Sequence, residues 1–136
     1  MDAQNLTVAD LMTIDPIVVA VDAPIEDAAA LFRSKEVTGL PVIDDRGDLV
    51  GVISQSDLVA LAESALGRRV RGEASGLRVG ELMSSPAITV PMTARAGDGA
   101  RLMLDRHIHR VVALDDAGHP IGVLSATDFV RLFADD

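Results

Sequence analysis

A chain of 136 residues has room for one compact domain, and half of it would bury too little surface to be comfortably stable alone. Hydrophobic residues make up 49%, yet the only aromatics are Phe32, Phe129 and Phe133, so Val, Leu, Ile, Ala and Met must build the core and any pocket for a flat ring has aliphatic walls. The lack of cysteine excludes disulfides, thiolate metal sites and cysteine nucleophiles, and a net charge of −9 argues against a nucleic-acid partner, whose phosphates need a surplus of Lys and Arg on one face.

The opening Met1-Asp-Ala-Gln-Asn5 carries no basic segment ahead of an apolar run, and no stretch approaches a membrane span, so a cytoplasmic protein with no membrane partner is the expectation. Val8-Ala-Asp-Leu-Met12 reads as a short helical turn, and the β-rich run Ile17-Val-Val19 follows as a strand. Asp22 and Pro24 supply an N-cap and a first-turn proline for a helix reaching about Lys35, with Ile25, Ala28, Ala29 and Phe32 on its buried face. Leu40-Pro-Val-Ile43 and Leu49-Val-Gly-Val-Ile53 form a hairpin across Asp44-Asp-Arg-Gly47, whose glycine can adopt the positive φ that such turns need. Ser54 to Asp57 then opens a second helix through Leu58, Leu61 and Ala62.

The order then recurs. Val8–Ala62 aligns without a gap on Val79–Phe133 at an offset of 71 (122 − 51), so that Gly51-Val-Ile-Ser-Gln-Ser-Asp57 falls on Gly122-Val-Leu-Ser-Ala-Thr-Asp128. An offset this long is too large for a solenoid unit and too short for two ordinary domains, so it implies two half-domains sharing one core, each with a counterpart of any site in the other. The division is 1–66 for the first repeat, 67–77 for a charged, glycine-flanked linker, and 78–136 for the second repeat. Gly97 and Gly99 weaken the first helix of the second repeat by about 1 kcal/mol each relative to alanine.

Ser54-Gln-Ser-Asp57 and Ser125-Ala-Thr-Asp128 have the form of capping boxes, in which the acid reaches back to a backbone N–H. A carboxylate at a strand-to-helix junction can also accept both hydroxyls of a ribose. His109-Arg110, standing where the first repeat has Thr38-Gly39, could hold a phosphate by charge-assisted hydrogen bonds. Ile17, Val18, Ala87 and Ile88 lie on the first strands and read as core by their apolar character. His107-x-His109 offers too few ligands for a metal, and no serine stands in a nucleophile-elbow context, so neither a metal site nor an enzyme is expected. Asp44-Asp45 and Asp115-Asp116 precede glycines and read as turn formers.

Asp10-Leu-Met12 and Glu81-Leu-Met83, Thr38-Gly-Leu-Pro-Val-Ile-Asp44, His107-Ile-His-Arg-Val-Val112 and the two Gly-x-x-Ser-x-x-Asp segments together resemble the CBS-domain pair, or Bateman module, over nearly the whole chain. The resemblance implies an α/β fold of two tandem CBS repeats, each roughly β-α-β-β-α, packed with pseudo-two-fold symmetry. It implies a regulatory, non-catalytic module that binds AMP, ADP or ATP in clefts between the repeats, forms a homodimer of such pairs and modulates a regulated protein not yet identified. It assigns ribose contacts to Asp57 and Asp128 with support from Ser54 and Ser125, and phosphate contacts to His109 and Arg110. Thr38 is the less basic counterpart, and the base lies near Ile17, Val18, Ala87 and Ile88. Because such clefts combine both repeats, His109 and Arg110 are paired with Asp57, and Thr38 with Asp128. Other ligands of the same class are S-adenosylmethionine, NAD and cyclic dinucleotides. The alternative from a different class is a ligand-free oligomerisation or protein-interaction module in which the acids only cap helices.

Overall fold

A computed structural model describes residues 5–14, 16–64 and 76–134. In chain order its elements are α1 (Val8–Leu11), β1 (Thr13–Ile14), β2 (Val19–Ala20), α2 (Ile25–Lys35), β3 (Gly39–Ile43), β4 (Leu49–Ser54) and α3 (Gln55–Glu63). After these come α4 (Val79–Leu82), β5 (Thr89–Pro91), α5 (Ala96–Arg106), β6 (Arg110–Leu114), β7 (Pro120–Ser125) and α6 (Ala126–Ala134). The linker expected at 67–77 lies mostly outside the described residues.

The chain forms two compact units, one of Ile17–Ala87 and the other of Ile88–Asp136 together with Met1–Pro16. Each unit therefore takes its opening turn from the neighbouring sequence repeat. In the Ile17–Ala87 unit, β2 runs parallel to β3 and β3 antiparallel to β4, a sheet of order β2-β3-β4. Leu40, Val42, Ile53, Ala28 and Val79 are fully buried together there. The other unit has sheet order β1-β7-β6-β5, with Val8, Ala113 and Leu124 as its fully buried counterparts. The parallel pairs need a crossover, which α2 and α5 supply, while the antiparallel pairs β3–β4 and β6–β7 close through tight turns and β1 joins β7 from far along the chain.

Those turns follow from one side chain each. Asp44 Oδ1 accepts the N–H groups of Arg46 and Asp48 at 2.9 and 3.0 Å, and Gly47 takes a φ of +84°. Asp115 Oδ1 repeats this with Ala117 and His119, both at 2.9 Å. The acids ahead of the glycines are turn formers, as their sequence context implies.

Several expectations need correction. The N-cap of α2 is Pro24 rather than Asp22, and it makes no side-chain cap bond. A side-chain cap is unnecessary because the N–H of Ile25 donates to the Leu77 carbonyl at 3.1 Å, just as Ala96 at the start of α5 donates to Leu6 at 2.8 Å. Backbone from each opening segment thus satisfies the first orphan donor of the crossover helix. Ala29 is exposed, so the buried face of α2 is Ile25, Ala28 and Phe32. The strand expected at Ile17–Val19 is β2, Val19–Ala20, and Ile17 and Val18 precede it. His107 is not on a strand; it ends α5 in the left-handed conformation at φ 55°, so strand alternation does not align it with His109.

The opening turns explain two motifs at once. In α1 the Asp10 carboxylate accepts the Thr7 N–H at 2.8 Å, and in α4 Glu81 accepts the Arg78 N–H at 3.3 Å. The methionine that ends each turn then lies across a glycine of the sheet. A Cβ added at Gly51 would stand 2.6 Å from Met83 Sδ and 2.7 Å from the Ser84 carbonyl oxygen; one at Gly122 would stand 2.5 Å from Met12 Sδ and 2.8 Å from the Thr13 oxygen. The glycine of each Gly-x-x-Ser-x-x-Asp segment is there because backbone approaches backbone.

Gly99 is similarly confined, since a Cβ would meet Leu124 Cδ2 at 2.6 Å, whereas Gly97 faces open space. Helix propensity and packing therefore oppose each other at one glycine and not at the other. Gly97→Ala is expected to stabilise the protein by up to about 1 kcal/mol. Gly99→Ala is expected to destabilise it by about 1–3 kcal/mol through overpacking. Chemical denaturation of the two variants checks the sign of each.

Candidate functional site

Both Ser-x-x-Asp segments sit where the last strand of a sequence repeat becomes its last helix. Ser54 has extended backbone as the N-cap of α3, and its Oγ accepts the Asp57 N–H at 3.3 Å. Asp57 Oδ2 in return accepts the Ser54 N–H at 2.7 Å and its hydroxyl at 3.1 Å. In the other unit Asp128 Oδ2 accepts the N–H and hydroxyl of Ser125 at the same distances of 2.7 and 3.1 Å. The reciprocal capping box forms at α3, and at α6 the acid's half of it, the reach back to the Ser125 N–H, is present. The boxes use one carboxylate oxygen each and fix the direction of the second.

The second oxygens differ. Asp57 is half-buried, and its Oδ1 takes none of the hydrogen bonds formed among the described residues. Asp128 is buried, and its Oδ1 is held by the Arg131 guanidinium one helical turn further along α6.

Sheet register brings the basic pair to the same corner. Arg110, the first residue of β6, stands opposite Ser125, and the His109 carbonyl accepts the Ala126 N–H at 2.8 Å. Gly39 stands opposite Ser54, and the Thr38 carbonyl accepts the Gln55 N–H at 3.0 Å. His109, Arg110, Ser125 and Asp128 are thus neighbours in one unit, as Thr38, Ser54 and Asp57 are in the other. His109 and Thr38 are exposed and Arg110 half-buried. Partial burial lowers the Arg110 pKa by desolvation, but an arginine so placed keeps its charge.

Ile17 and Val18 lie just ahead of β2, and Ala87 and Ile88 just ahead of β5, rather than on the strands. All four are half-buried, and Val18 and Ala87 are not among the side chains packed on a core, which corrects the core assignment for those two. Lead-in segments have fewer ladder partners than strand interiors and leave part of each side chain uncovered. Ile17 and Ile88 still pack on their units' cores. The feature that sequence reasoning missed is Arg131. Its signal was available, because the duplication sets it against Ala60 and so shows a charge present in one copy only.

The CBS domain family model matches residues 8–64 and again 79–135, and the chain belongs to this family as a tandem pair of CBS domains. The chain is 34% identical over 149 aligned positions to the chloroplastic CBS domain-containing protein CBSX2 of Arabidopsis thaliana, covering 92% of this chain and 62% of that protein. An uncharacterized protein of Methanocaldococcus jannaschii, MJ1426, is 28% identical, with 96% of this chain and 93% of that protein aligned. Among solved structures, CBSX2 in complex with AMP matches with a TM-score of 0.82 and 37% identity, over 96% of this chain and 98% of that one. The CBS domain pair of MJ0100 in complex with 5′-methylthioadenosine and S-adenosylmethionine matches with a TM-score of 0.79 and 26% identity, over 95% and 96%. Among the described residues no helix is long and apolar enough to cross a membrane.

Proposed function

We propose that the protein is a regulatory module that binds an adenosyl ligand, with AMP the first choice over ADP and ATP, and whose occupancy alters its association with a partner. The carrying observation is the open oxygen of Asp57. A carboxylate whose Oδ2 is fixed by Ser54 while Oδ1 remains unengaged among the described residues is preorganised to accept a ribose hydroxyl. His109 and Arg110 supply positive charge and donors for a phosphate, and the half-buried aliphatic side chains of Ile17, Val18, Ala87 and Ile88 supply walls for a base. Two relatives support this class of ligand, since CBSX2 was solved with AMP and MJ0100 with 5′-methylthioadenosine and S-adenosylmethionine.

Regulation would follow by linkage, because a ligand shifts an assembly only by its differential affinity for two states. The assembly proposed is a homodimer of pairs. Exposed Val130 and Phe133 on α6 and Val59 on α3 offer apolar surface for it. The repeats 1–66 and 78–136 would act as one integrated module joined by the 67–77 linker.

Titration calorimetry with AMP and adenosine tests the reading. Arg110→Ala is expected to weaken AMP by about 1.5–3 kcal/mol, as for a lost charge-assisted hydrogen bond, and to change adenosine little. Equal losses for both ligands would remove Arg110 from the phosphate site. No heat with any adenosyl compound would favour the ligand-free interaction module instead.

A further inference from the structure

The two ribose carboxylates of the proposed function are not equally available, and the difference lies in one residue. Arg131 holds Asp128 Oδ1 from one turn further along α6, with its own side chain 59% exposed and that of Asp128 only 2% exposed. Asp128 Oδ2 is already committed to Ser125, so each oxygen of this carboxylate already has a partner. At the equivalent place on α3 stands Ala60, which has no charge to offer, and Asp57 Oδ1 remains open among the described residues.

We infer that Arg131 is a specificity-determining latch: it occupies the second ribose carboxylate, so that only Asp57 selects for the 2′-hydroxyl, and the duplicated site is closed until Arg131 is displaced. This rests on the proposed adenosyl binding and adds which copy is open. A mutual pair of this kind is a stronger competitor for a carboxylate than a neutral hydroxyl, because both of its partners are charged. Being exposed on the guanidinium side, it can also be released without unpacking the core. A ligand whose anionic group drew Arg131 away would open the second site, which would make its occupancy depend on ligand charge as well as on the ribose.

The test is the ratio of 2′-deoxy-AMP to AMP dissociation constants, measured by calorimetry, in which any general effect of added or removed charge cancels. Wild type is expected to prefer AMP by about tenfold or more, the size of one lost hydrogen bond to a charged acceptor. Asp57→Asn should bring the ratio near one, and Asp57→Asn with Arg131→Ala should restore it to about tenfold by exposing Asp128. The latch is overturned if Asp57→Asn alone keeps the preference, or if removing Arg131 fails to restore it. A second variant avoids any loss of folding at α6. Ala60→Arg with Glu63→Ala copies Arg131 and Ala134 into the first repeat at exposed positions of α3. It should latch Asp57 and abolish the wild-type preference; an unchanged preference would also overturn the proposal. Absence of any preference in the wild type is a different result, which removes the ribose reading itself and the latch with it.

Discussion

A chain stopped after Leu66, at the end of the first sequence repeat, is expected to lose cooperative folding, or to melt well below the segment Ile17–Ala87. The reason is the exchange of opening turns. Val79 is fully buried in the Ile17–Ala87 unit, and Leu82 and Met83 pack around it. The N–H groups of Val79 and Gly80 donate to Ala23 and Val21 at 2.8 and 2.9 Å, and Val52 and Ser84 exchange backbone bonds at 3.0 and 2.9 Å. Removing α4 forfeits the burial of one whole and two partial apolar side chains, about 3–6 kcal/mol, and uncovers the end of α2. That is comparable to the entire stability of a small domain. The shortened chain also keeps α1, whose Val8 belongs to the core of the other unit, as an exposed apolar turn. Thermal melts followed by circular dichroism compare the two fragments. A cooperative melt of 1–66 at or above that of 17–87 would show that the opening turns contribute little.

That exchange marks the limit of what the sequence revealed about the fold. The offset of 71 (122 − 51) exposed the duplication, and the hairpins, turn acids and capping boxes were legible because each is decided within a few residues. Which sheet receives α1 or α4 is not a local matter. A four-residue turn such as Val-Ala-Asp-Leu buries the same valine wherever it lands, so periodicity gives no sign of its partner. The misplaced N-cap at Asp22 has the same origin, since the donor of Ile25 is satisfied by Leu77, a residue far along the chain. At Gly99 propensity suggested a weak helix, while the structure shows a position where Leu124 leaves no room for a side chain.

The candidate site divides along the same line. Ser54, Asp57, Ser125 and Asp128 were legible because spacing alone puts serine and acid at a helix start. The strand register that sets Arg110 opposite Ser125 and Gly39 opposite Ser54 follows from the hairpins. The lead-in position of Ile17, Val18, Ala87 and Ile88 was not legible, because apolar β-formers read as strand whether or not a ladder reaches them. Arg131 escaped notice because an exposed arginine on a helix is ordinary until its partner is known to be a buried carboxylate.

The ribose contact at Asp57 is the central claim. Asp57→Asn keeps the shape of the side chain but replaces an ionised acceptor by a neutral amide, and 2′-deoxy-AMP removes the hydroxyl from the other side of the same contact. Each change alone is expected to cost about 1.5–3 kcal/mol of binding, as for a hydrogen bond to a charged group. Made together they should cost little more than either one, because both delete a single interaction. A role confined to capping leads elsewhere: a loss of about 1 kcal/mol in folding stability, with ribo- and deoxyribonucleotides bound alike. The decisive measurement is therefore the calorimetric cycle of wild type and Asp57→Asn with AMP and 2′-deoxy-AMP. A non-additive cycle with weaker deoxynucleotide binding by the wild type is the expected result, and equal affinities of the wild type for both nucleotides would contradict it.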